Sequence, residues 1–180
     1  LEHKDSFHLM KTIMANYILE GIYFYSGFMF FYNLGRMGKM LGSAQEIRYI
    51  NRDENTHLWL FRNMIIELQK EEPTLFTPEK IEVYRNMLKR GVEEEIAWGQ
   101  YVLGNRIEGL TMDMVSDYIH YLGNLRAFSL NFEPLYEGFE TEPEAMKWVS
   151  IYSNANNIKT DFFEAKSTAY AKSSAIEDDL

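Results

Sequence analysis

Glu54-Asn55-Thr56-His57 places a carboxylate and an imidazole three residues apart. On a helix that is close to one turn, so both side chains leave the same face. A carboxylate beside a neutral imidazole can bind one divalent metal ion. The bland alternative is a solvated carboxylate next to a hydrogen-bonded histidine, and the pair alone does not decide between them. Glu20 adds weight to the metal reading. It sits inside the most apolar helix of the chain, where an ionised carboxylate is costly without a cation, a hydrogen-bond network or a proton. A buried ion pair with Arg36, Lys39 or Arg48 is the competing account. Asp53 precedes Glu54 and projects about 100° away around the helix. It could accept from a ligating histidine and orient it, or simply pair with Arg52 or Arg48.

Other side chains of the right type lack partners. Glu94-Glu95 and His120 have no matching pair, and His120 reads as a core or capping histidine. Asp5 and His8 lie about three turns before Glu20 on the same helix, too far to share its ion. The 180 residues contain no cysteine, which excludes disulfides and thiolate ligands and leaves oxygen and imidazole donors. It is also compatible with a reducing cytoplasm. A net charge of −9 argues against a nucleic-acid footprint and against a polybasic membrane anchor. The apolar run Gly21 to Leu34 is shorter than the roughly 20 residues of a membrane span and is expected to be a buried helix. No basic start followed by an apolar stretch marks a signal peptide, so a cytoplasmic location is expected. Aromatic residues make up 15% of the chain, which suits a thick apolar interior, or electron movement through aromatic side chains; packing is the commoner reason.

The elements that must carry these groups are nearly all helical. A first helix is expected from about Ser6 to Tyr32, ended by Gly35, Gly38 and Gly42. Ser43-Ala44-Gln45-Glu46 has the pattern of a capping box and is expected to open a long second helix that Pro73 ends near Glu71. Thr77-Pro78-Glu79 starts a third helix to about Leu103. Thr111 starts a fourth to about Phe128, and Pro143 opens a short one to about Tyr152. Long helices with short connections imply an all-α bundle. One Glu on one helix and Glu-x-x-His on another form half of the dimetal-carboxylate recipe of such bundles. Residues 1–152 are expected to form the helical domain, and 153–180 to be a flexible polar tail.

The stretches Glu20 to Phe28 and Ile47 to His57, with the gap between Glu20 and Glu54, resemble the small (beta) subunit of class I ribonucleotide reductase. That resemblance implies a ferritin-like helical fold. It implies that Glu20, Glu54 and His57 are ligands of a dinuclear iron or manganese cofactor (Fe/Fe, Mn/Fe or Mn/Mn). Asp53 would link a ligand histidine to a radical-transfer path, and Phe24, Phe28 and Ile50 would shield the radical site. The tail, with Asp161-Phe162-Phe163-Glu164, Tyr170 and an acidic end, resembles the family's flexible terminus; Tyr170 would relay the radical and the last residues would dock in the large (alpha) subunit. In the family a first ligand set, and in many members a radical tyrosine, lie upstream of the position of Glu20. Residues 1–19 supply neither. The chain, which begins at Leu1, is therefore expected to be a fragment or to be completed by a second polypeptide, with the complete subunit a homodimer. Two rival expectations are another ferritin-like dimetal oxidase, and a metal-free helical interaction subunit in which Glu20 pairs with a basic residue.

Overall fold

The structure is a computed structural model and describes residues 2–153. The tail expected to carry Tyr170 lies outside the described residues. Six α-helices follow one another: α1 (Glu2–Gly21), α2 (Tyr25–Arg36), α3 (Leu41–Glu71), α4 (Pro78–Val102), α5 (Met112–Ser129) and α6 (Lys147–Ser153). Short 3-10 turns occupy Pro73–Phe76 and Glu144–Met146. Among the described residues there is no strand, only an isolated bridge between Ile107 and Leu110.

Antiparallel packing of α3 on α1 and α2 follows from two close approaches. Gly35 on α2 faces Ala44 at the start of α3, and Gly21 at the end of α1 faces Leu58 further along. Helix α4 runs parallel to α1 and α2, with Gly91 against Ile18 and Gly99 against Ser26. Helix α5 returns along α4, Gly123 meeting Val92. The core between them is rich in tyrosine and methionine: Tyr17, Tyr32, Tyr84, Met10, Met14 and Met29 are almost completely buried, beside Ile65, Leu88 and Ile119. No described helix is long and apolar enough to cross a membrane.

Helix starts at Thr77 and Thr111 form as the sequence leads one to expect. The Thr77 hydroxyl accepts from the Lys80 amide and the Thr111 hydroxyl from the Met114 amide, each satisfying one orphan donor of a first turn. Thr77→Ala is expected to lower stability by about 1 kcal/mol, read as a shift in urea midpoint with unchanged slope.

Two expectations about helix ends fail. The long first helix is two: it breaks at Ile22–Phe24 and resumes at Tyr25. The break survives because its backbone groups find partners on other helices, described below. The capping box at Ser43 also does not form. Helix α3 starts three residues earlier, with Met40 rather than Ser43 at its N-cap, in the left-handed region (φ 47°) and with no side-chain cap. Helix α2 closes through Lys39 N–H to Leu34 O (2.8 Å) and Gly38 N–H to Gly35 O (3.0 Å), with Gly38 at φ 73°, the left-handed conformation that suits glycine. This tight exit, together with the Gly35–Ala44 approach, puts Ser43 already inside the returning helix.

Candidate metal centre

Glu20 occupies the last turn of α1, and Glu54 and His57 the middle of α3. Because α3 runs antiparallel against α1, the one-turn pair on α3 meets the carboxylate of α1. Ligand atoms of the three side chains all lie within 4.8 Å of one another. His57 Nδ1 is 2.9 Å from Glu54 Oε2 and 3.7 Å from Glu20 Oε2. The two carboxylates are largely covered, with side chains 14% and 19% exposed, while the imidazole is 54% exposed.

Glu20 Oε2 is buried and accepts no hydrogen bond, and it is the one such side-chain atom among the described residues. A buried oxygen of this kind normally has a partner. None of the expected pairs with Arg36, Lys39 or Arg48 forms. Lys39 pairs with Glu108, Arg36 bonds Asn33 and the Gly109 carbonyl, and Arg48 bonds the Tyr152 carbonyl. Burial, reinforced by the adjacent Glu54 carboxyl and opposed by His57, pushes the Glu20 carboxyl up to about 7. The bond to Glu54 raises the pKa of His57. Two adjacent carboxylates, one imidazole and a buried oxygen without a hydrogen bond form a donor set that a divalent cation would satisfy.

The remaining sequence candidates are placed as follows. Asp53 is exposed and pairs with Arg52 at 3.3 Å. Phe24 stands at the start of α2, half-buried, its ring centroid 6.0 Å from that of buried Phe28. Phe28 in turn packs on Tyr25 and stacks on Tyr32. Ile50 is 44% exposed, one turn before Glu54 on α3. Leu60 and Met64 continue that uncovered apolar line. His120 bonds the Ser116 carbonyl and stacks on Phe139, the packed role expected of it. Asn51, fully buried, donates from its side-chain amide to the Tyr32 hydroxyl at 2.8 Å, and its oxygen accepts from Asn55.

Sequence reasoning set Glu95 aside for want of a matching partner and passed over Arg126; both are buried. Glu95 had a signal: with Leu88, Val92 and Gly99 it holds the core-facing positions of α4. Burial pushes its carboxyl up to about 7, against the pull of its bond to Ser26. The folded protein therefore binds this proton more tightly than the unfolded chain does. Its contribution to stability is full at low pH and declines as pH rises from about 4.5 to about 7. In urea unfolding across that range, Glu95→Gln is expected to remove this part of the decline.

The model of the family described as "Ribonucleotide reductase, small chain" matches residues 1–143. The ribonucleoside-diphosphate reductase subunit beta of Treponema pallidum is 68% identical over 179 residues, covering 99% of this chain and 51% of its own. The protein of the same name from Halalkalibacterium halodurans is 42% identical over 166 residues, covering 92% and 48%. A solved ribonucleotide reductase R2 subunit from Clostridium botulinum superposes with a TM-score of 0.75 at 52% identity, covering 78% of this chain and 44% of that one. The chain thus spans about half the length of these relatives.

Proposed function

The chain belongs to the ribonucleotide reductase small-chain family, and on that premise we propose that it is the part of a radical-generating small subunit that carries Glu20, Glu54 and His57 as one ligand group of a dinuclear iron or manganese centre. The observation that carries this reading is the buried Glu20 oxygen without a hydrogen bond, set among donors within 4.8 Å. When bound, such a centre supplies, with oxygen, the oxidising equivalent used in reducing ribonucleotides to deoxyribonucleotides.

This chain's residues have separable tasks. Glu20 and Glu54 would offer carboxylates to the centre from two helices, their oxygens within 4.8 Å of one another. His57 would offer a ring nitrogen, its Nδ1 lying 2.9 Å from Glu54 Oε2 and 3.7 Å from Glu20 Oε2. Phe24 and Phe28 exclude water on the α2 side, and Ile50 completes that wall when another segment covers α3. Asp53 faces outward beside the ligand pair, where it would accept a hydrogen bond from a ligand histidine contributed across that covered face and link it to the radical-transfer path. Tyr170 relays the oxidising equivalent onward, and the acidic terminus docks in the large subunit, in which the ribonucleotide is reduced. The other ligands come from an upstream segment or a second polypeptide, and the complete subunit is a homodimer working in the cytoplasm.

Native mass spectrometry with metal analysis, on protein purified from its own source, tests this. Two metal ions in a species containing this sequence and the remaining ligands is the expected result. A metal-free species built from this sequence alone would overturn it.

A further inference from the structure

The break between α1 and α2 begins two residues after Glu20, at Ile22, and two buried ionisable side chains outside the ligand group close it from opposite directions. A continuous helix would give the Tyr25 amide to the Gly21 carbonyl and the Ser26 amide to the Ile22 carbonyl. Here the Tyr25 amide bonds Ile22 O at 3.2 Å, which leaves one carbonyl and one amide orphaned. Arg126, on α5, donates from Nε to Gly21 O at 3.0 Å and from a terminal nitrogen to the Tyr25 hydroxyl at 3.0 Å. Glu95, on α4, accepts the Ser26 amide at 2.8 Å. A cation thus meets the freed carbonyl, and a carboxyl oxygen accepts the freed N–H. Glu94 adds a third tie, accepting from the Tyr23 hydroxyl at 2.6 Å.

The fit is close on both sides. A Cβ at Gly21 would stand 2.9 Å from Arg126 Nε and 2.9 Å from Leu58, and a Cβ at Gly99 would stand 2.9 Å from Ser26 Oγ. Regular helix through residues 22–24 would turn Tyr25, Phe28, Met29 and Tyr32 out of the core face they share, or else swing the end of α1, and Glu20 with it. Both outcomes are blocked while Arg126 and Glu95 hold the freed groups.

Resting on the metal-centre reading above, we propose that Arg126 and Glu95 are positioning residues: they fix the break after Gly21 and thereby hold the Glu20 carboxylate in reach of Glu54 and His57. Partners that orient a ligand without touching the metal are worth about 10–100-fold in affinity, and this sets the scale expected.

The test uses the complete subunit, metal-free, with Mn(II) binding followed by electron paramagnetic resonance and amide hydrogen exchange followed over residues 18–30. Glu95→Ala is expected to speed exchange at Ser26 and to weaken Mn(II) binding by about 10-fold. Glu95→Gln, whose amide oxygen still accepts from Ser26, returns both close to wild type, which a loss of general stability would not explain. Arg126→Lys keeps the charge but cannot span the Gly21 carbonyl and the Tyr25 hydroxyl together, and is expected to weaken Mn(II) binding in the same sense. Unchanged exchange at Ser26 or unchanged Mn(II) affinity in Glu95→Ala overturns the proposal. If that variant does not fold, wild-type affinity in Arg126→Lys does so. Glu20→Gln is the control: wild-type Mn(II) affinity there sinks the metal-centre reading itself, whatever Glu95 does.

Discussion

Glu54→Ala, in the complete subunit, is expected to abolish tight metal binding at the α1–α3 site and with it the reduction of ribonucleotides in the presence of the large subunit. The substitution removes more than one donor atom. Glu54 is also the group that bonds His57 Nδ1 at 2.9 Å, so the imidazole loses the partner that orients its ring. Orienting partners alone are worth about 10–100-fold in metal affinity; loss of a ligand together with an orienting partner is expected to exceed about 100-fold on the same scale. Glu54→Gln separates charge from shape, since it keeps a hydrogen bond to His57 but offers a weaker, neutral ligand. Isothermal titration of the metal-free protein with Mn(II) measures both. Full metal content and activity in Glu54→Ala would make the cluster an ordinary surface arrangement of a histidine and two acids.

Gly91→Val is expected to be the most damaging single change to the scaffold. Even the Cβ of an alanine at this position would stand 2.5 Å from Ile18 Cγ2, an atom attached directly to a β-branched carbon with little freedom to move. Overpacking of this kind costs about 1–3 kcal/mol and sometimes more, and a branched side chain belongs at the top of that range, about 3 kcal/mol. Urea unfolding with a double-mutant cycle checks the cause. Ile18→Ala should recover part of the loss, giving a coupling of about 0.5–3 kcal/mol of opposite sign to the single effects. Additive single effects would mean that the helices can separate at Gly91 without strain. Glu20 lies two residues beyond Ile18, so the same variant is also expected to bind Mn(II) more weakly.

How much of this was legible beforehand divides along the range of the interactions involved. Thr77 and Thr111 act on amides three residues away, and their helices start where the sequence places them. The meeting of Glu20 with Glu54 and His57 was legible for a related reason. A one-turn spacing on α3 needs only a neighbouring helix to bring a third donor, and the apolar surroundings of Glu20 marked it as inward-facing. The break after Gly21 depends instead on Glu95 and Arg126, 69 and 105 residues from the groups they bond. No local signal distinguishes Ile22-Tyr23-Phe24 from helix, because the hydrogen bonds that compensate for the break arrive from elsewhere. Ser43 failed for the opposite reason. Its capping pattern was present, but the left-handed turn at Gly38 and Met40 had already restarted the helix at Leu41.

The bond between Asn51 and Tyr32 bears on redox chemistry. A phenol yields an electron readily only when its proton can leave at the same moment, which requires a base at the hydroxyl. Asn51 presents an N–H, not a base, to the Tyr32 oxygen, and its own amide oxygen accepts from Asn55. Burial in addition pushes the Tyr32 hydroxyl up to about 12. Tyr32 stacks on Phe28 and on Tyr152, yet it is wired as a proton-locked ring. On the proposed metal-centre reading, an oxidising equivalent formed beside Glu20 would find in it a poor sink, and the aromatic interior at this point would act as insulation.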